Sequence, residues 1–267
     1  MHDCENWLYD EKQGLIRHRN NIFFQIKGIR SFHNNRFESE QPMLVQTEIG
    51  YLGIICKEIG GVLHMLMQAK IEPGNVNRIQ ISPTLQATLS NFTQRHGGAK
   101  PKYLEYFADA SRHEIIVDQL QSEQSSRFLK KRNRNIIIKV DAPIEVYPNF
   151  RWMTIGQIKQ LMRMDNIVNM DTRTVLSCLP FYRARGCDAA LFCDHALYSS
   201  LYNGDDAQIL PVYHYINNFK MYNYFRRETI PLFSMKDWQM AQNEYACLHP
   251  SNFKIVFCNI TIEGREV

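Results

Sequence analysis

The sequence predicts an α+β domain built on a mixed sheet. Three observations carry that expectation. Two apolar runs meet at a Gly-Gly turn, as in a hairpin. An amphipathic stretch of helical period follows much later, over residues 154–164. Strand-like and helix-like segments then follow each other in irregular order, which suits a mixed sheet with helices beside it.

Leu52 to Cys56 and Val62 to Lys70 read as strands paired around Gly60-Gly61. Arg78 to Ser82 is another short strand, stopped by Pro83. Thr84 to Gln94 reads as a helix, with Ser82 or Thr84 as its cap. Ile136 to Val140 and Ile144 to Val146 read as strands split by Pro143. In the helix Thr154 to Met164, Ile155, Ile158, Leu161 and Met162 share one face, and Thr154 is the cap. Val212 to Tyr224 reads as a second helix, rich in Tyr and Asn.

The chain also repeats its own beginning. Trp7 and Trp238 are 231 residues apart (238 − 7), and so are His18 and His249 (249 − 18). Ile22, Phe24 and Ile26 meet Phe253, Ile255 and Phe257 in the same register, which preserves a strand-like alternation. One full unit over 1–235 and a partial second unit over 236–267 are therefore expected.

Composition narrows the function classes. Among 267 residues, 45% are hydrophobic and 22% charged, as in ordinary soluble domains. No apolar run reaches the roughly 20 residues needed to cross a bilayer. The first six residues carry two acids and no Lys or Arg, unlike a secretory leader. A cytoplasmic protein without membrane contact is expected. Seven cysteines stand singly, with no close CxxC pair, so neither a disulfide framework nor a metal site is expected. Arg127, Lys130, Lys131, Arg132, Arg134 and Lys139 flank the apolar Ile136-Ile137-Ile138. They read as a solvated loop entering a strand, and nucleic-acid binding would need a broader basic face.

Polar chemistry is densest between Gln68 and Phe107. On a strand, His64, Leu66, Gln68 and Lys70 share one face, as do Gln80 and Ser82 on the next. On a helix, Gln86, Ser90 and Gln94 form one polar stripe. Neutral hydrogen-bonding groups with a few charges are what a sugar or nucleotide ligand requires.

The strings QTEIGYLGIICKEIGGVLHMLMQAKIEPGN, QISPTLQATLSNF, YLEYF and FRWMTIGQIKQLMRMDNIVNMDTRTVLSCLPF closely resemble the NDP-hexose 2,3-dehydratases of deoxysugar biosynthesis. INNFKMYNYFRRETIPLFSMKDW resembles the connector between that family's two repeats. The resemblance implies a Nudix-like mixed sheet with flanking helices, normally duplicated, that binds a dTDP-sugar and needs no cofactor. Here one full repeat is followed by the first strand of a second, and Ser39-Glu40 precede Gln41-Pro42 where the family pattern has a tryptophan. A homodimer would let two chains imitate the two repeats. A catalytically silent dTDP-sugar-binding homologue and half of a split two-repeat dehydratase are the alternatives. The magnesium chemistry of Nudix hydrolases is disfavoured, because no glutamate-crowded helix is present.

The implied reaction removes the C2 hydroxyl of a dTDP-linked 4-keto-6-deoxyhexose. It needs a base for the C3 hydrogen, an acid for the leaving hydroxyl and a donor to the C4 oxygen. His64, Lys70, Glu72, Glu105 and Tyr106 are the titratable candidates. His64 with Tyr106 would move protons, and Lys70 would hold the C4 oxygen. Glu105 and Tyr106 alternate, so at most one of them is expected to act. Gln68, Asn75, Gln80, Ser82, Thr84, Gln86, Ser90 and Asn91 are candidate substrate ligands. Arg95, with Arg163 and Asn166, suits the diphosphate, and Tyr103 or Trp152 suits the base.

Overall fold

The computed structural model describes residues 6–21, 24–72, 74–88, 100–179, 206–241, 244–248, 254–256, 261–262 and 265–266. Strands β1 (Trp7–Asp10), β2 (Leu15–His18), β3 (Gln25–His33) and β4 (Arg36–Val45) open the chain. They are followed by β5 (Gly50–Ile59), β6 (Val62–Ile71), β7 (Ile79–Ser82) and β8 (Leu85–Thr88). A short helix α1 (Leu104–Ala108) leads into β9 (Glu114–Ser122), β10 (Arg132–Lys139) and β11 (Phe150–Thr154). Helices α2 (Ile155–Leu161), α3 (Met170–Ser177) and α4 (Asp206–Tyr222) precede β12 (Phe225–Ile230). The C-terminal part contributes β13 (Trp238–Ala241), β14 (Glu244–Cys247) and β15 (Lys254–Val256).

A seven-stranded mixed sheet runs β11-β6-β5-β10-β9, with β7 on β6 and β8 on β5. Only β5 and β10 pair in parallel within it; the other partners are antiparallel. Side chains alternate between two cores. Ile55, Leu66, Leu85, Ile136 and Ile138 pack with Leu104 and Phe107 on one face. Leu52, Ile54, Met65, Met67 and Ile137 pack with Ile158 of α2 and with Val175 and Leu176 of α3 on the other. A separate sheet of β1, β2, β3, β4 and β12 forms a third cluster with Leu232, Trp238 and Tyr245.

The α+β class and mixed sheet are as expected, and so are the β5–β6 hairpin and α2. Thr154 caps α2 in a reciprocal box: its Oγ1 accepts from the Gln157 amide at 3.2 Å, and Gln157 Oε1 accepts from the Thr154 amide at 2.9 Å. Three expectations need correction. Leu85–Thr88 is a strand, not the start of a helix from Thr84 to Gln94, because it continues the pairing of β5 that burial of Leu85 demands; residues 89–99 lie outside the described residues. Ile144 to Val146 form no strand: past Pro143 the chain turns over the first core, and Ile144 and Tyr147 pack there as isolated side chains. YLEYF belongs to helix α1, so Glu105 and Tyr106 are about 100° apart rather than on opposite faces.

The segments of the expected repeat each contribute a hairpin opened by a tryptophan. In the first, Trp7 pairs with His18 and Tyr9 with Ile16; in the second, Trp238 pairs with Cys247 and Met240 with Tyr245. The second turn is shorter by two residues, so past it the structural offset is 229 (247 − 18), and His249 lies outside the described residues. Both hairpins meet in the third cluster of the same chain. Trp238 Nε1 donates to the Glu40 carbonyl at 2.9 Å, and the Lys236 amide donates to the Glu40 carboxylate at 2.7 Å.

Gly53 sits in the middle of β5 under Phe107; a methyl group there would lie 2.4 Å from the ring. Gly53→Ala is expected to lower stability by about 1–3 kcal/mol in urea denaturation, with partial recovery when Phe107→Leu is added. A neutral Gly53→Ala would contradict this packing.

Candidate functional site

The large sheet forks. Cys56–Ile59 and Val62–Met65 pair with each other, but the start of β5 pairs with β8 and the far end of β6 pairs with β7. Thr84, fully buried between β7 and β8, ties the branch together. Its Oγ1 accepts from the Ile55 amide at 2.9 Å and donates to the Leu66 carbonyl.

Helix α3 lies over the opening of the fork. Asn169 caps it, accepting from the Thr172 amide at 2.8 Å. The Asn169 amide and the Thr172 hydroxyl both donate to the Ile81 carbonyl, at 2.9 and 3.2 Å, which fixes the helix to β7. A cavity of about 220 Å³ remains, walled by Leu52, Lys70, Gln86, Lys131, Asn133 and Asp171 among others. A second cavity of about 390 Å³ shares Leu52, Glu123, Asn133 and Asp171 with it.

A polar network lines the fork. Lys70 Nζ lies 3.6 Å from Glu72 Oε1, which also accepts from Gln86 Nε2 at 2.8 Å. Gln86 Oε1 accepts from Ser82 Oγ at 3.1 Å and Asn169 Nδ2 at 3.4 Å. Asn75 Nδ2 donates to the other Glu72 oxygen at 3.4 Å. Lys131 is 6% exposed and donates to the Glu48 carbonyl at 2.5 Å, and Asn133 Nδ2 donates to Glu123.

Asp171 differs from every other acid here. Among the described residues its carboxylate has no hydrogen bond and no ion pair. It sits in the first turn of α3, where the helix dipole favours the charged form. Burial outweighs that effect: with Glu123 and Glu72 nearby it pushes the Asp171 carboxyl up to about 6, against the opposing charge of Lys70. Burial likewise pulls Lys70 below its ordinary value, opposed by Glu72 and Asp171. The pair is an acid and a base with pKa values moved toward each other inside one cavity.

The predicted site residues are only partly brought together. Lys70, Glu72, Asn75, Ser82 and Gln86 join the network, and Gln68 faces Ser82 across the β6–β7 ladder. His64 does not join it: it pairs with Thr154, its Nδ1 lies 2.9 Å from the Val62 carbonyl, and six residues of strand, roughly 20 Å, separate it from Lys70. Tyr106 belongs to the opposite core and stacks on His113 at 5.6 Å, while Glu105 is exposed and pairs with Lys100 at 3.7 Å. Tyr103 is buried in left-handed backbone (φ 62°), donating to the Glu145 carbonyl at 2.8 Å, and Trp152 packs beside the same core. Gln80 donates to Asn77 at 3.3 Å; Arg163 is exposed past α2; Asn166 is exposed, and its carbonyl accepts from Asn77 at 2.6 Å. Ser90, Asn91 and Arg95 lie outside the described residues.

Asp171, Glu123, Lys131 and Asn133 were not singled out from sequence. Lys131 is a correction to the solvated basic loop: it is buried at the edge of the cavity. The available signal for Asp171 was the cap at Asn169, which places an acid two residues later in a first helical turn; nothing local shows that this turn faces two carboxylates. Among the described residues no group of three or more His, Cys, Asp or Glu could hold a metal ion, and no helix is long and apolar enough to cross a membrane.

Residues 1–179 match the family described as NDP-hexose 2,3-dehydratase. The chain is 41% identical over 268 residues to a dTDP-4-dehydro-6-deoxy-α-D-glucopyranose 2,3-dehydratase of Saccharopolyspora spinosa, covering 98% of this chain and 55% of that protein. Proteins of the same description from Amycolatopsis orientalis and Streptomyces violaceoruber are 37% and 38% identical, over 99% and 100% of this chain and 54% and 59% of theirs. The chain thus spans a little over half the length of these relatives. Likeness to solved structures is slight. An Ap4A hydrolase of C. elegans gives a TM-score of 0.32 at 10% identity, over 49% of this chain and 95% of that one. A Nudix hydrolase of M. smegmatis gives 0.31 at 12%, over 57% and 97%. Scores of that size carry no weight for the fold.

Stability should report the strained carboxyl of Asp171. Its folded pKa of about 6 lies above the ordinary value of 3.8 that the unfolded chain has, so the folded state holds the extra proton between those values. The contribution is present below pH 4 and lost as pH rises through 6. Asp171→Asn is expected to remove that slope and to exceed the parent chain at pH 7.5 by about 1–3 kcal/mol in chemical denaturation. Equal stabilities at both ends of the window would contradict the desolvated carboxyl.

Proposed function

Because the chain belongs to the NDP-hexose 2,3-dehydratase family, we propose that it removes the C2 hydroxyl of a dTDP-linked 4-keto-6-deoxyhexose. The product is the 3,4-diketo-2,6-dideoxy sugar, and the activity is that of a carbon–oxygen hydro-lyase on a Nudix-like repeat. The observation that carries this reading is the unpartnered Asp171 carboxylate facing Lys70 at the wall of the forked cavity.

The proposed steps use only these side chains. Asp171, as carboxylate, takes the proton from C3, and the bonding pair moves through C4 to leave an enolate oxygen. The Lys70 ammonium, held by Glu72, lies against that oxygen and offsets its charge. The enolate re-forms the C4 carbonyl, the C2–C3 double bond forms, and the C2 hydroxyl leaves with the proton that Asp171 now carries. Water and a C3 enol result, and the enol shifts a proton to C2 to become the ketone. The C4 carbonyl is the electron sink throughout.

Lys70 thus keeps the role expected of it, while Asp171 replaces the pair His64 and Tyr106. Gln86, Ser82 and Asn169 act by orienting Glu72. The proposed setting is cytoplasmic, and the proposed assembly a homodimer. The broad apolar exposure of α4, including Leu210, Tyr213, Phe219 and Tyr222, supports self-association.

Asp171→Asn is expected to lower kcat by about 10²–10⁴-fold, read as loss of the C2 oxygen from dTDP-4-keto-6-deoxyglucose by mass spectrometry. In the parent chain the rate should rise with pH through about 6, as Asp171 loses its proton, and fall again below the ordinary lysine range, as Lys70 loses its own. Asp171→Asn with parental kcat and an unchanged acidic limb would defeat the proposal.

A further inference from the structure

The larger of the two cavities has walls that the proposed chemistry does not use. Among the described residues, Gln121 Nε2 donates only to the sulfur of Cys178, at 3.0 Å, and Gln124 Nε2 only to the sulfur of Met170, at 3.5 Å. Sulfur is a weak acceptor, so both amides keep most of their donor capacity. Asn135, fully buried on the same wall, has an Oδ1 with no hydrogen-bond partner among the described residues. Buried polar groups are almost always paired, so the open Asn135 oxygen, beside two glutamine amides with donor capacity to spare, suits a ligand that both donates and accepts.

Resting on the dehydratase reading, we infer that this cavity is the hexose subsite, and that Gln121, Gln124 and Asn135 read the sugar's ring substituents. A hydroxyl group supplies both an acceptor for the glutamine amides and a donor for Asn135. The diphosphate does not suit this cavity, since Glu123 and Asp171 line it and, among the described residues, no cation does; Lys70 and Lys131 line the other one. A pyrimidine does not suit it either, because among the described residues no aromatic ring lines it to stack on the base. Asp171 stands on the shared wall, so a ring held by these amides presents its carbons to the carboxylate while the diphosphate leaves toward the lysines. These amides would be specificity-determining residues, set on β9, β10 and the loop after β9.

Calorimetric titration with two probes tests this. Gln121→Leu and Gln124→Leu are each expected to weaken dTDP-glucose roughly five- to tenfold while leaving dTDP itself within about twofold. Gln124 is exposed, so its variant guards against a folding defect at Gln121. Equal weakening of both probes would place the nucleotide at these amides and overturn the inference. Unchanged binding of both probes would overturn it too, and would leave Asp171 and Lys70 in their proposed roles. A parent chain that binds neither probe would remove the dehydratase reading and the subsite together.

Discussion

Everything at the site depends on one hydroxyl. Thr84 joins the backbones of β5 and β6 where those strands stop pairing, accepting from one and donating to the other. A sheet split in mid-strand leaves unpaired backbone groups, which cost free energy unless a partner is found. Thr84 supplies that partner, and β7 and β8 take over the remaining edges. The backbone at the fork is therefore satisfied, and α3 can lie over it. That helix brings an acid into a place where water is scarce and like charges are near.

The consequence is electrostatic. Glu72 is held by two amides and an ammonium group, whereas Asp171 is left bare and raised to about 6. Two carboxylates a short distance apart thus take different roles because one is hydrogen-bonded and the other is not. Lys70 answers both, and burial moves its pKa toward that of Asp171. A site of this kind can hold a proton briefly and give it back, which a dehydration across adjacent carbons requires.

Much of the fold was legible because it follows local rules: the Gly-Gly hairpin, the capped helix at Thr154 and the buried Ile136–Ile138 strand each carry their own signal. The expected helix at Thr84 to Gln94 shows where those rules stop. Leu85 to Thr88 has a helix-compatible composition, but its pairing with β5 decides the matter, and that partner is over thirty residues away in sequence. The site was legible by halves for the same reason. Lys70, Glu72 and Gln86 lie within one family-like stretch and could be grouped by spacing. Asp171, Glu123 and Lys131 reach them only through the packing of α3 and of the connection between β9 and β10. His64 is a titratable group on an apolar strand, yet position along that strand, not its type, keeps it from the cavity.

The central claim is that the fork, and not the opposite face of the sheet, holds the reacting sugar. A crystal structure of this chain with a bound dTDP-linked 4-keto-6-deoxyhexose tests it most directly. The account predicts C3 of the sugar within about 3.5 Å of the Asp171 carboxylate and the C4 oxygen against Lys70. A sugar ring lying instead beside Tyr106 and His113, with the fork empty, would contradict it.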